Sequence, residues 1–279
     1  MSTQPNSDAE IESTDGTRLV VRRVGTGDPV VTVHGSGGGL HSWAAVADLL
    51  ASDHEVWLWA RRGYGPGDVP ADPPTSFADD TADLLAVVDA AHTVSGRSVH
   101  VVGASYGATL ALHAARADAR HLRSLAVYEP PLFAAGPALV PLLERYRTAL
   151  DRDDARSAGE VLNEVTHVPQ AIVDAFAAAA PESPPDPVEA RRSTLGWRHD
   201  LEALAGDGPD VARWSAIGLP TLIMQGADTW EPMPSTMDAL ARALPHAPRI
   251  TWEGQMHFAT STAPQVVADT LQAFFASVA

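Results

Sequence analysis

The sequence predicts an α/β protein with a mainly parallel sheet, helices on both of its faces and a helical segment inserted late in the chain. Three observations carry this. First, β-prone runs alternate with helical stretches of roughly 10–15 residues, the pattern of strands joined by crossover helices. Second, Gly103-Ala104-Ser105-Tyr106-Gly107 stands between a β-branched run, Ser98-Val99-His100-Val101-Val102, and a helix-period run, Thr109 to Arg116. Third, residues 132–218 contain helical runs and no convincing strand, although a crossover needs only about a dozen residues.

Taken in order, Ile11-Ser13 and Thr17-Arg23 flank Thr14-Asp15-Gly16. Asp-Gly between β-prone runs signals a hairpin. Pro29-Val33 reads as a buried strand running into His34-Gly35-Ser36-Gly37-Gly38-Gly39, with a helix over Leu40–Leu50. Glu55–Ala60 is a further strand, followed by a loop, Arg61-Arg62-Gly63-Tyr64-Gly65-Pro66-Gly67, and a helix over Asp79–Thr93. Leu122–Tyr128 is a strand closed by Glu129-Pro130-Pro131. In the insertion, helical runs cover Ala138–Leu150, Ala158–Val165, Gln170–Ala180 and Val188–Ala205, the last two separated by the proline-rich 181–187. The sheet pattern resumes at Pro220–Gln225, before Gly226-Ala227-Asp228. A helix over Pro234–Leu244, a strand over Pro248–Trp252 and a closing helix over Pro264–Val278 complete the chain. The expected organisation is thus a first core segment (1–131), a helical cap (132–218) and a second core segment (219–279).

The chemistry centres on Ser105. A strand that turns at once into a helix forces the residue at the bend into a strained conformation and lifts its side chain clear of the sheet. Gly103 and Gly107 let strand and helix approach each other. The Tyr106 N–H falls at the helix N-terminus, unpaired within the helix and suited to an anion.

Composition narrows the chemistry further. The 279 residues carry a formal charge of −16, which disfavours nucleic acid and anionic membranes as partners. There is no Cys, which excludes disulfides, thiolate metal sites and cysteine nucleophiles. All 19 basic residues are Arg, so lysine Schiff-base chemistry is excluded too. The His residues show no His-Glu-x-x-His spacing, and no metal site is expected. The polar N-terminus has no signal-peptide pattern and no stretch is apolar enough to span a membrane. A cytoplasmic protein, monomeric or homodimeric, is the expectation.

Ser105, Asp228 and His257 each follow a strand, where open α/β sheets place their ligands. Their order, nucleophile, acid, histidine, resembles that of the α/β-hydrolase fold superfamily, in its serine-nucleophile, capped, esterase- and perhydrolase-like branch. The resemblance covers nearly the whole chain. Gly-Ala-Ser105-Tyr-Gly resembles the nucleophile elbow, His34-Gly35-Ser36 the oxyanion loop, Gly226-Ala227-Asp228 the acid turn and Gly254-Gln255-Met256-His257 the histidine loop.

What the resemblance implies is an eight-stranded, mostly parallel sheet and a cofactor-free serine hydrolase of an ester, thioester or lactone. Ser105 would be the nucleophile, His257 the base and Asp228 the acid, with Ser36 and Tyr106 N–H groups as the oxyanion hole. Gly35, Trp43, Trp230 and Met256 would line a pocket for a partly apolar small molecule, while Trp197 and Trp214 are open between pocket and core. One departure matters. The family usually places its acid three residues after the turn glycine, where this chain has Thr229, so Glu129 at the end of the preceding strand is the alternative acid and Glu231 a remoter one. Epoxide hydrolases and haloalkane dehalogenases of the family carry Asp at the nucleophile position, where this chain has Ser105. Acyl transfer, perhydrolysis and C–C cleavage share the triad and stay open, as do a non-catalytic small-molecule receptor and a repurposed biosynthetic cyclase.

Overall fold

The structure is a computed structural model that describes residues 8–65, 76–179 and 186–278. Residues 1–7, Pro66-Gly67 of the expected loop and most of the proline-rich separator (181–185) lie outside the described residues.

The order of elements is β1 (Asp8–Glu12), β2 (Arg18–Gly25), β3 (Asp28–Val33), α1 (Ala44–Leu50), β4 (His54–Trp59), α2 (Phe77–Ser95), β5 (Val99–Ala104), α3 (Tyr106–Ala117) and β6 (Leu122–Tyr128). Then come α4 (Val140–Asp151), α5 (Ala155–Thr166), α6 (Gln170–Ala179), α7 (Pro187–Gly206), β7 (Thr221–Gly226), α8 (Met233–Ala243), β8 (Arg249–Trp252), α9 (Ala259–Thr262) and α10 (Pro264–Ser277). Between β6 and β7 the described residues contain helices and loops and no strand.

The eight strands form one sheet in the order β1-β2-β4-β3-β5-β6-β7-β8. β1 and β2 pair antiparallel through the Asp15-Gly16 hairpin, β2 and β4 also pair antiparallel, and every other pairing is parallel. The central strands read as continuous Val/Leu/Ile/Ala runs because both faces are covered. Their alternation separates two apolar layers. Val31, Val33, Val101, Leu125, Val127 and Ile223 pack with α2, α3, α8 and the inserted helices, whereas Val30, Val102, Ala126, Tyr128, Leu222 and Met224 pack with α1, α9 and α10. Helix α1 starts at Ala44 rather than Leu40, because residues 40–43 form turns at the end of the glycine-rich loop. Helix α2 opens two residues early, on a capping box in which the Ser76 hydroxyl accepts from Asp79 N–H and Asp79 returns a bond to Ser76 N–H.

At the C-terminal edge, β5, α3 and β3 come unusually close. A Cβ on Gly103 would lie 2.3 Å from the Gly107 carbonyl oxygen, and one on Gly107 would lie 2.3 Å from that of Val33. Both obstacles are backbone and cannot rotate away. The Gly103→Ala variant is therefore expected to lose about 3 kcal/mol of stability, the upper end of overpacking costs. Urea unfolding checks this, and an unchanged midpoint would contradict the packing.

Candidate active site

Strand β5 ends at Ala104 and α3 begins at Tyr106, so Ser105 alone makes the turn, at φ 55° and ψ −127°. A non-glycine residue held there costs on the order of 1–3 kcal/mol and persists only when its surroundings impose it. On the adjacent strand, Glu129 follows β6 with φ 46°. Ser105 N–H donates to the Tyr128 carbonyl at 2.8 Å. Two strained residues thus stand together at neighbouring strand ends.

Glu129 is completely buried. Its Oε1 accepts from Gly226 N–H at 2.8 Å and from the Thr229 hydroxyl at 2.7 Å. Its Oε2 accepts from His257 Nδ1 at 2.6 Å. An ionised carboxylate only accepts, so Nδ1 is the donor, and in the neutral ring the lone pair lies on Nε2. Next to Glu129, the Tyr128 hydroxyl donates to the Met256 carbonyl and accepts from Ala259 N–H. The end of β6 thereby holds both the ring of His257 and the peptide that precedes it.

Asp228, the first choice of acid from sequence, does not reach His257. Its side chain is exposed, and its backbone N–H is tied to the Gln255 carbonyl at 2.9 Å. The turn after β7 directs Thr229 inward instead, and Thr229 is a donor to Glu129. Glu231 is also exposed and accepts from Ser235 N–H within α8.

Opposite Ser105 lies the glycine-rich loop. A Cβ on Gly35 would stand 2.9 Å from Ser105 Cβ, so the loop passes against the serine. Within the loop, Gly37 N–H donates to the Tyr64 hydroxyl, Gly38 N–H to the Gly35 carbonyl and Gly39 N–H to Ser42 Oγ. Among the described residues, the Ser36 and Tyr106 N–H groups have no partner. His34 closes the base of the loop: its Nε2 accepts from Arg61 N–H at 3.0 Å, and its Nδ1 donates to the Gly35 carbonyl at 2.7 Å. Burial, and then the Arg61 charge, hold its pKa well below the usual histidine range, so it stays neutral.

Beneath the loop is a buried ionic cluster that sequence reading missed. Arg61 is 1% exposed and pairs bidentately with Asp200 of α7, at 2.8 and 2.9 Å. Its guanidinium lies over the rings of Tyr106 (4.2 Å) and Tyr64 (4.8 Å) and 3.5 Å from Asp80. Tyr106 donates to Asp80 and Tyr64 to Asp200. No local signal could have exposed the pair, since 139 residues separate Arg61 from Asp200.

The expected pocket residues divide. Trp43 is core, not pocket: it is 2% exposed, donates from Nε1 to the Val33 carbonyl and packs among Val46, Ala47 and Leu50 on the far face of the sheet. Trp230 lies edge-on to the His257 ring at 6.3 Å and is tied by Nε1 to the Thr166 carbonyl at the end of α5. Met256 is exposed beside His257. Phe258, which the sequence reading passed over, sits 5.7 Å from the His257 ring. Trp197 faces the loop, with Nε1 3.1 Å from where a Gly37 Cβ would stand, while Trp214 is fully buried core.

A sequence profile described as the Alpha/beta hydrolase family matches residues 30–270. The chain belongs to that family. Its fold is shared with an alpha/beta hydrolase from Sphaerobacter thermophilus, 28% identical, with a TM-score of 0.76 over 96% of this chain and 100% of that one. A thermophilic esterase from Thermogutta terrifontis (20% identity, TM-score 0.76, 98% and 99% coverage) has the same fold. So does the enol-lactonase from Burkholderia xenovorans (18% identity, TM-score 0.73, 96% and 100% coverage). A sequence match to Epoxide hydrolase 3 from Siraitia grosvenorii is 28% identical over 143 residues, 50% of this chain and 44% of that protein. The described residues contain no cluster of His, Cys, Asp and Glu suited to a metal, and no helix long and apolar enough to cross a membrane.

The cluster also sets a pH dependence. Burial pushes the Asp80 carboxyl up to about 6, against the pull of Arg61 and the Tyr106 hydroxyl and with the push of Asp200 and Asp83. A carboxyl raised above its unfolded value binds more protons in the folded state, so its stabilising contribution is full at low pH and is lost as pH rises through the folded value. Wild type should therefore lose stability relative to the D80N variant as pH rises from about 4 through about 6. Urea unfolding across that range is the check, and parallel curves would contradict it.

Proposed function

We propose that the protein is a serine hydrolase of a carboxylic ester, thioester or lactone, working through an acyl-Ser105 intermediate with His257 as base and Glu129 as acid. The observation that carries this reading is the bond from His257 Nδ1 to the buried Glu129 carboxylate. It leaves Nε2 as the free basic atom of a ring held near the strained Ser105 turn.

In the proposed reaction, Ser105 Oγ attacks the carbonyl carbon and its proton passes to His257 Nε2. Glu129 stabilises the resulting imidazolium without taking its proton. The Ser36 and Tyr106 N–H groups receive the negative oxygen, an interaction worth about 10²–10³ in rate per donor. Collapse returns the proton to the leaving alcohol or thiol and leaves the acyl group on Ser105. Water then attacks with His257 again as base, releasing the acid and restoring the serine. In a lactone both products are one molecule. Each step uses only groups of this chain and water.

The aromatic surroundings support a substrate with an apolar or aromatic part. Trp230 and Phe258 flank His257, and Trp197 covers the loop. The esterase and enol-lactonase among the proteins of like fold are consistent with this class. A serine at the elbow forms an acyl ester, which favours acyl substrates over epoxides. A non-catalytic receptor would need no acid behind His257, whereas here the neighbouring strand supplies the buried Glu129.

The test is intact mass after exposure to a fluorophosphonate. One adduct is expected on wild type and none on Ser105→Ala. Glu129→Gln should label at least about 10²-fold more slowly, by analogy with triads that lose their orienting acid. Asp228→Asn should label as fast as wild type. An unlabelled, folded wild type would sink the reading, and slow labelling of Asp228→Asn alone would return the acid role to Asp228.

A further inference from the structure

The inserted helices do more than stand over the sheet. One face of α7 is applied to the glycine-rich loop, at Ser193 and Trp197, and to the loop after β4, at Gly196 and Asp200. Ser193, Gly196, Trp197 and Asp200 fall at helical spacing i, i+3, i+4 and i+7, a single stripe. Ser193 Oγ and Trp197 Nε1 lie 3.9 and 3.1 Å from where a Cβ on Gly37 would stand. A Cβ on Gly196 would fall 2.4 Å from the Tyr64 ring, so helix and loop residue are in direct contact. Asp200 closes the stripe on Arg61 and the Tyr64 hydroxyl.

The consequence lies in the peptide joining Gly35 to Ser36. Its carbonyl accepts from His34 Nδ1 at 2.7 Å, Gly38 N–H at 3.3 Å and Arg61 Nη2 at 3.4 Å. A trans peptide is planar, with its carbonyl and N–H pointing in opposite directions. Donors gathered on the Gly35 oxygen therefore turn the Ser36 N–H away from the cluster, where Ser105 borders the loop. Arg61 Nε also holds the His34 carbonyl at 3.2 Å, and the Arg61 guanidinium is stacked on Tyr106, whose own N–H is the other free donor. Both donors are thus braced by Arg61, and Arg61 is aligned by a bidentate carboxylate, the geometry that fixes a guanidinium most strictly.

We propose that Asp200, brought in by the helical insertion, is a positioning residue for the oxyanion site: through Arg61 it holds the Gly35–Ser36 peptide with its N–H toward Ser105. This rests on the serine-hydrolase reading above. A buried pair that served stability alone could be exchanged for apolar side chains at little or no loss. An exchange of that kind therefore separates positioning from simple support.

The experiment compares wild type, Asp200→Asn, the Arg61→Met/Asp200→Leu double variant and Ser105→Ala. Fluorophosphonate labelling is resolved into a saturating rate and a half-saturating concentration, and thermal unfolding is followed on the same samples. The double variant is expected to keep its unfolding midpoint near that of wild type. Its saturating labelling rate should fall about 10²-fold, as for loss of one oxyanion donor, with the half-saturating concentration unchanged. The Asp200→Asn variant should lose rate in the same way, and it serves alone if the double variant does not fold. Labelling at the wild-type rate by a folded double variant, or by a folded Asp200→Asn variant, would overturn the proposal while leaving Ser105 as nucleophile. Absence of labelling on wild type would instead overturn the serine-hydrolase reading and this proposal with it.

Discussion

A single buried carboxylate ties together the three segments on which the site depends. Glu129 ends β6, receives Gly226 N–H and the Thr229 hydroxyl from the turn after β7, and receives His257 from the loop after β8. A buried acceptor left short of donors costs more than its bonds return, so all three segments are fixed to it together. The positive φ at Glu129 is the strain that this arrangement sustains. With the buried carboxylate coming from β6, the turn after β7 presents a donor to it, the Thr229 hydroxyl.

The rest of the edge is organised by the same logic of close approach and full satisfaction. Ser105 is held in its strained turn because β5 and α3 meet across Gly103 and Gly107 with no space for a side chain. The glycine-rich loop engages the N–H groups of Gly37, Gly38 and Gly39, and that of Ser36 has no partner among the described residues. Beneath both lies the Arg61 cluster, in which two carboxylates and two tyrosine hydroxyls surround one guanidinium. Because one of those carboxylates comes from α7, the insertion is part of the site's scaffold. Trp230 makes a second tie, from beside His257 to the end of α5.

Much of this was legible in the sequence, for local reasons. The eight strands follow from β-branched runs and turn residues, and the elbow from two glycines around one serine. His257 follows from its place after the last strand. Which carboxylate meets His257 was not legible, because the choice between Asp228 and Glu129 turns on which residue of a short turn points inward, and a one-residue shift reverses it. The presence of Thr229 at the family's acid position, with a carboxylate just before two prolines at the end of the neighbouring strand, was the available clue. Trp43 was misplaced because its nearness in sequence to the loop says nothing of which sheet face α1 covers. The Arg61–Asp200 pair was invisible, since periodicity and local motifs carry no information about partners so far apart.

The most direct test of the account is the proton on His257 Nδ1. A short bond to a buried carboxylate should hold that proton against exchange and shift its NMR resonance far downfield of ordinary imidazole N–H signals. The account predicts such a resonance in wild type, its retention in the D228N variant and its loss in the E129Q variant. A resonance that survives the E129Q substitution and disappears with D228N would contradict it.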